Sequence, residues 1–118
     1  MTHLSITAVD RGTSSVLELT GELDMATAGQ VREVLRDLRL HRGQQLVIDL
    51  AGLGFCDSSG MTALISARTH ALAADGSIAL TCVPNHLLRA LKLMGLDQVF
   101  PLHATTSEAI AVWDARGD

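Results

Sequence analysis

The segment Leu46–Leu64, LVIDLAGLGFCDSSGMTAL, runs from an apolar stretch through a polar turn into a second apolar stretch. Its first part, Leu46–Leu50, is apolar except for Asp49, which is typical of a central strand covered on at least part of both faces. From Gly60 to about Ala74 the pattern predicts a helix whose sheet-facing residues are Leu64, Ile65, Ala67, Ala71 and Leu72. A strand, a turn and a helix in succession indicate an α/β fold.

The chain before this segment is predicted to form a hairpin and then a helix. Apolar and polar residues alternate on both sides of the turn-rich link Asp10–Ser15, which favours two antiparallel strands. From Asp24 the apolar period changes to that of an amphipathic helix, which is expected to end before Gly43. The apolar strand positions are Leu4, Ile6, Ala8, Leu17 and Leu19, and the helix positions are Val31, Val34, Leu35 and Leu38.

The chain after this segment is predicted to add two strands and two helices. Ser77–Val83 has the composition of a strand, and Pro84 suits the first turn of a third helix that ends at Gly95. A short strand is expected near Val99–Phe100. Thr105–Glu108 forms a T-x-x-E capping box, which predicts a fourth helix. The apolar stripe of the third helix is Leu87, Leu88, Leu91 and Met94.

The predicted order is β, β, α, β, α, β, α, β, α. Such alternation implies right-handed crossovers between parallel strands, with the opening hairpin as an antiparallel edge. We therefore expect a single α/β domain over residues 1–118, with a mixed, mostly parallel sheet and about four helices. Sites in open sheets of this kind lie where strands end and helices begin.

Composition restricts the class of protein and its partners. The chain has 118 residues, 47% hydrophobic and 19% charged, which favours one packed globule. Aromatic residues make up 3%, which leaves few side chains on which bases could stack, and the net charge of -4 repels a phosphate backbone. No nucleic-acid partner is therefore expected. The start MTHLSITAVDRG lacks the features of a secretory signal, and no run approaches membrane-spanning length, which predicts a cytoplasmic protein without a membrane partner.

No metal or cofactor site is predicted from the cysteines and histidines. Cys56 and Cys82 lie far apart without a C-x-x-C pattern, which favours small buried thiols kept reduced over a disulfide or a metal site. The histidines form no H-E-x-x-H motif and have no neighbouring carboxylate cluster; they are His3, His41, His70, His86 and His103.

The polar turn FCDSSGM, Phe55–Met61, holds two serines between an aspartate and a glycine. Ser58 or Ser59 is predicted to cap the following helix, because a serine oxygen there accepts a bond from a backbone N–H that is otherwise unpaired. One cap needs one hydroxyl. The second hydroxyl, with Asp57 before the pair and Gly60 after it, is then left free at an exposed turn.

A free hydroxyl at a helix start is a candidate site for phosphorylation. The positive end of the helix dipole favours an anion there by about 0.3–1 kcal/mol, so the fold is expected to survive the modification. A partner docked on the turn would meet about -1.5 to -2 additional charges beside Asp57 and near Asp24. If this costs about 2–5 kcal/mol at a buried contact, affinity falls by roughly thirtyfold to several thousandfold.

These residues resemble the STAS domains and, within them, the single-domain bacterial anti-sigma factor antagonists. The resemblance covers nearly the whole chain and rests on TGELDMATA (Thr20–Ala28), on Leu46–Leu64 and on LKLMGLDQVFPLHATTSEAIA (Leu91–Ala111). The middle block is the most specific, because D-S-S-G after a strand and a short loop is the family's signature. The resemblance implies that Ser58 is the phosphorylated serine.

The resemblance also implies a partner-switching cycle. The unmodified protein binds an anti-sigma factor that is itself an ATP-using serine kinase, and so frees the sigma factor for RNA polymerase. Phosphorylation of Ser58 by that kinase ends the association, and a metal-dependent serine phosphatase restores it. ATP and magnesium belong to the kinase, so this chain is expected to be no enzyme and to carry no cofactor. The partner-binding surface implied is Asp24, Asp57, Ser59, Gly60 and Met61.

One residue of the signature departs from the family's pattern. Met61 stands where the family usually has leucine or isoleucine after the glycine. This swap conserves volume and is expected to cost under about 1.5 kcal/mol.

Three alternatives stay open from the sequence. A hydrolase would use Ser58 or Ser59 as nucleophile with His86 or His103 as base, but the turn lacks the G-x-S-x-G elbow. A STAS module of another signalling scaffold would bind a partner without serine phosphorylation. Asp24, in Gly21–Asp24, has a structural alternative as well, because a tight turn with an acidic helix start also accounts for it.

Overall fold

The computed structural model describes residues 2–116, and within that range five strands and four α-helices follow one another in the predicted order. The strands are β1 (Leu4–Asp10), β2 (Ser14–Leu23), β3 (Gln45–Cys56), β4 (Ser77–Thr81) and β5 (Leu102–His103). The helices are α1 (Ala28–Asp37), α2 (Ser58–Ala73), α3 (Asn85–Leu93) and α4 (Thr106–Ala115), and a 3-10 turn spans Leu96–Gln98. None of the helices described is long and apolar enough to cross a bilayer.

The strands form one sheet in the order β1-β2-β3-β4-β5. β1 and β2 pair antiparallel, with Leu4 opposite Gly21, whereas every later pair is parallel. The mixed sheet with an antiparallel edge hairpin is therefore confirmed. Because β2, β3 and β4 are parallel, α1 and α2 both run back along the sheet and begin at its carboxyl edge.

Helices cover both faces of the sheet, which explains the apolar run in β3. Leu46, Ile48 and Leu50 belong to the main core beneath α1, α2 and α3. Val47 points to the other face, where it packs with Val16, Ala79 and Ala109 of α4. All four β3 residues are at most 1% exposed, so the prediction of a central strand is confirmed.

The hairpin link is shorter than the predicted Asp10–Ser15, since β1 includes Asp10 and β2 begins at Ser14, and three strand boundaries after β2 also differ from the prediction. β3 continues past Leu50 to Cys56, because β2 keeps pairing with it through two register shifts. The loop expected before the serines is therefore strand. β4 ends at Thr81, two residues before the predicted end, and Cys82 takes a positive φ of 54°. The strand predicted near Val99–Phe100 is wrong: β5 follows at Leu102–His103, and Phe100, 2% exposed, fills the core after the 3-10 turn.

The helices differ from the prediction mainly in which residues they bury. In α2, Ile65 and Leu72 were expected to face the sheet but are 38% and 47% exposed. The other three predicted residues are buried, and most of the buried residues are small, which lets α2 pack closely against the sheet; the buried set is Gly60, Met61, Ala63, Leu64, Ala67 and Ala71. Met94 lies beyond the end of α3 and is also exposed. The capping box is confirmed, since the Thr105 hydroxyl accepts a bond from the Glu108 N–H at 3.0 Å.

Candidate functional site

The turn between β3 and α2 is capped by Asp57, not by a serine. Asp57 has extended backbone angles, and its Oδ1 accepts a hydrogen bond from the Gly60 N–H at 3.0 Å. Ser58 and Ser59 are consequently the first two residues of the helix. The predicted serine cap is wrong because the chain stays extended up to Asp57, and a carboxylate caps a helix as well as a hydroxyl does.

Both serine hydroxyls remain available for other contacts. Ser58 is exposed, and its hydroxyl has no hydrogen-bond partner among residues 2–116; only its backbone carbonyl is engaged, accepting from the Thr62 hydroxyl at 3.0 Å. Ser59 is half-buried and lines a groove between α1 and α2. The two serines therefore face different surroundings: Ser58 faces solvent, and Ser59 faces the neighbouring helix.

Gly60 lies where the start of α2 comes close to the end of β2. A Cβ atom at this position would lie 2.5 Å from the Leu23 carbonyl oxygen and 2.6 Å from Sγ of Cys56. The Asp57 N–H donates to the same Leu23 carbonyl at 3.2 Å. Met61, 3% exposed, packs into the core directly below. The glycine thus lets the start of α2 lie close to the end of β2, and the methionine anchors the helix.

Asp24 holds the corresponding turn between β2 and α1. Its Oδ1 accepts from the N–H groups of Ala26 and Thr27 at 2.9 and 3.1 Å, and the residue is 8% exposed. The Thr27 hydroxyl donates to the Glu22 carbonyl at 2.7 Å and closes the turn. These bonds account for Asp24 as a structural element of the turn that precedes α1.

Three residues near the serines have side chains that the sequence did not single out. Met25 and Phe55 are large apolar residues that are 81% and 49% exposed. Arg32 reaches into the groove between α1 and α2, which has a volume of about 190 Å³ and is lined by Met25, Ala28, Arg32, Ser59 and Thr62. The signal available in the sequence was an apolar residue beside an acidic turn at each strand end, Met25 after Asp24 and Phe55 before Asp57.

The thiol next to this turn is poorly suited to chemistry. Burial, and secondarily the charge of Asp57, raises the pKa of the Cys56 thiol from 9.0 to about 11, so it stays protonated at neutral pH. Cys56 and Cys82 are both free and only partly buried. The groups of His, Cys, Asp and Glu within residues 2–116 include none that could hold a metal ion.

The histidines named for the hydrolase alternative do not pair with the serines. Nε2 of His86 lies 3.3 Å from the Leu53 carbonyl oxygen. His103 lies in β5, where its carbonyl accepts from the Cys82 N–H at 3.3 Å. In the part of the chain that the structure describes, neither imidazole hydrogen-bonds to Ser58 or Ser59, so the contact that would activate a serine nucleophile is not formed.

Known proteins with similar sequences are anti-sigma factor antagonists. The chain is 27% identical over 107 residues to the anti-sigma-F factor antagonist RsfB of Mycobacterium tuberculosis, an alignment that covers 91% of this chain and 87% of the relative. It is 25% identical over 107 residues to the anti-sigma-B factor antagonist of Listeria monocytogenes, covering 90% of this chain and 94% of the relative.

The fold and the family are established by two further comparisons. The crystal structure of an anti-sigma factor antagonist from Mycobacterium paratuberculosis superposes with a TM-score of 0.78 at 26% identity, covering 95% of each chain. A family model described as "Mlab, STAS domain" matches residues 6–103, which include all of the sheet except the first two residues of β1, together with α1–α3 and the serine turn. The chain therefore belongs to the STAS domain family.

Proposed function

We propose that this chain is an anti-sigma factor antagonist that works by partner switching through Ser58. Unmodified, it binds an anti-sigma factor that is also a serine kinase; phosphorylated on Ser58, it releases that partner, and a serine phosphatase restores binding. The observation that carries the proposal is the exposed Ser58 hydroxyl, which has no hydrogen-bond partner among the described residues. The names of the relatives supply the class of partner.

The cap at Asp57 lets Ser58 be modified without loss of the helix. Because the Gly60 N–H is bonded to the Asp57 carboxylate, the start of α2 does not depend on either serine hydroxyl. A phosphoryl group on the first residue of a helix lies near the positive end of the helix dipole, which favours it by about 0.3–1 kcal/mol. Phosphorylation is therefore expected to change the surface and leave the fold intact.

The partner-binding surface in this proposal has contacting and supporting residues. Asp57 and Ser59 flank the acceptor residue in the chain, and Met25 and Phe55 add exposed apolar side chains. Large apolar and aromatic side chains are the usual anchors of protein interfaces. Supporting residues shape this surface from beneath, since they are buried in the structure; they are Asp24, Gly60 and Met61.

The proposed role is binding without catalysis. The kinase supplies ATP and magnesium, so no cofactor is assigned to this chain. The cycle frees a sigma factor to join RNA polymerase, so we propose that this protein acts in the cytoplasm.

Phosphorylation by the anti-sigma kinase of the same organism tests the proposal. Incubation of the purified chain with that kinase, ATP and magnesium is expected to add one phosphoryl group, detected by intact mass and located at Ser58 by peptide mapping. Ser58→Ala is expected to take up none, whereas the matched variant Ser59→Ala still takes up one. Uptake by Ser58→Ala, or none by the wild type, would contradict the assignment of Ser58.

A further inference from the structure

We propose that the groove between α1 and α2 binds an acidic side chain of the anti-sigma factor, with Arg32 as the cation that recognises it. This inference rests on the proposed function. It adds where the partner binds and that the contacting residue of the partner is negatively charged. The groove has a volume of about 190 Å³ and adjoins the serine turn through Ser59. The surface assigned to the partner therefore continues directly into it.

The guanidinium of Arg32 is available for a ligand. Arg32 is exposed, and no carboxylate within residues 2–116 forms an ion pair with it. Its Nη2 lies 3.7 Å from where a Cβ of Gly29 would stand, so the guanidinium extends back along α1 towards the start of the helix. The first turns of α1 and α2 both lack acidic residues. An arginine with these surroundings matches a carboxylate, because its planar donors bind two oxygens at once.

The other residues that line the groove suit an acidic side chain of the partner with an apolar residue beside it. Ser59 and Thr62 line one side, and Met25 and Ala28 line the other. Met25 is 81% exposed, and a methionine adapts its shape to the side chain of a partner. A glutamate or aspartate of the partner would bind Arg32, and an apolar residue beside it would pack on Met25 and Ala28. Arginine is among the residues that are enriched at interface hot spots.

The same arrangement provides a mechanism for release. A phosphoryl group on Ser58 adds about -1.5 to -2 charges next in the chain to Ser59, which lines the groove. That charge attracts the guanidinium of Arg32 and repels the carboxylate of the partner. Phosphorylation then removes the attractive contact and adds a repulsive one.

Charge reversal in the groove, compared with charge reversal one turn away, tests this inference. The full chain is titrated with its anti-sigma kinase without ATP, so that it stays unmodified, at low and high salt. Arg32→Glu is expected to weaken binding at least about tenfold, and Arg32→Gln by less. Arg36→Glu makes the same change of charge on the same helix outside the groove and is expected to weaken binding by less than about twofold. High salt should reduce the difference in affinity between the wild type and Arg32→Gln, because it screens the charge of Arg32.

The outcomes separate this inference from the proposed function. If Ser58→Asp loses binding while Arg32→Glu binds as well as Arg36→Glu, the inference is overturned and the proposed function stands. If the wild type binds no anti-sigma kinase, both are overturned. Thermal unfolding of each variant should match the wild type, because Arg32 and Arg36 are exposed; if Arg32→Glu loses affinity only in proportion to a loss of folded protein, the groove is no binding site.

Discussion

Asp57 and Ser58 are neighbours in the chain, but their side chains have different contacts. The Asp57 carboxylate bonds to the Gly60 N–H, while the Ser58 hydroxyl bonds to no residue within the described range. The first residue thus stabilises the helix, and the second presents an exposed hydroxyl. This separation allows a modification of Ser58 that leaves the start of α2 in place.

The different contacts of Asp57 and Ser58 predict different effects of two alanine substitutions on stability. Asp57→Ala should lower the free energy of unfolding by about 1 kcal/mol, since it removes the side-chain cap. Ser58→Ala should change that free energy by less than about 0.5 kcal/mol, since its hydroxyl makes no such bond. Urea denaturation of the two variants measures the difference. A larger loss for Ser58→Ala than for Asp57→Ala would mean that the serine is the cap after all.

At the scale of elements, the site depends on how closely α2 packs against β2. Gly60 permits that approach, because an added Cβ would stand 2.5 Å from the Leu23 carbonyl oxygen. Backbone atoms at this distance cannot move away as a flexible side chain can. The glycine in the D-S-S-G sequence therefore has a packing role.

Two glycine-to-alanine substitutions in neighbouring helices test this packing. Gly60→Ala should lower the free energy of unfolding by about 1–3 kcal/mol, because α2 must shift away from β2. Gly29→Ala in α1, where the nearest atom is a mobile arginine nitrogen at 3.7 Å, should be neutral or stabilise by up to about 1 kcal/mol. Thermal or urea unfolding measures both. Equal losses in the two variants would contradict the close approach at Gly60.

The order of the elements could be predicted from the sequence because each change of apolar period marks a change of element. The end of β3 could not, since its last residues, Ala51–Cys56, are mostly exposed and are held as strand by pairing with β2. The predicted position of β5 is wrong because Val99–Phe100 has the composition of a strand. Phe100 instead follows a 3-10 turn and is buried in the core. Such contacts between distant segments leave no local pattern.

The site was only partly predictable for the same reason. An exposed serine at the start of α2 followed from the local sequence. The identity of the cap did not, because aspartate and serine cap helices equally well. Arg32 and Met25 were not found at all, since their relation to Ser59 arises only when α1 packs beside α2.

At the scale of the whole molecule, the stable core and the proposed switch occupy different places. The core lies between the sheet and α1, α2 and α3 and includes Leu17, Ile48 and Leu64, which are at most 1% exposed. Ser58 lies outside it at the carboxyl edge of the sheet. A charge added at that edge is expected to alter which partner binds while the core stays folded.

The affinity of the Ser58-phosphorylated chain for the anti-sigma kinase, relative to that of the unmodified chain, tests this account most directly. Both forms are titrated without ATP, and the melting temperature of each is recorded alongside. We expect phosphorylation to weaken binding by roughly thirtyfold or more, from about 2–5 kcal/mol of lost binding free energy, with the melting temperature nearly unchanged. Equal affinities of the two forms, or loss of binding only because the phosphorylated chain unfolds, would contradict it.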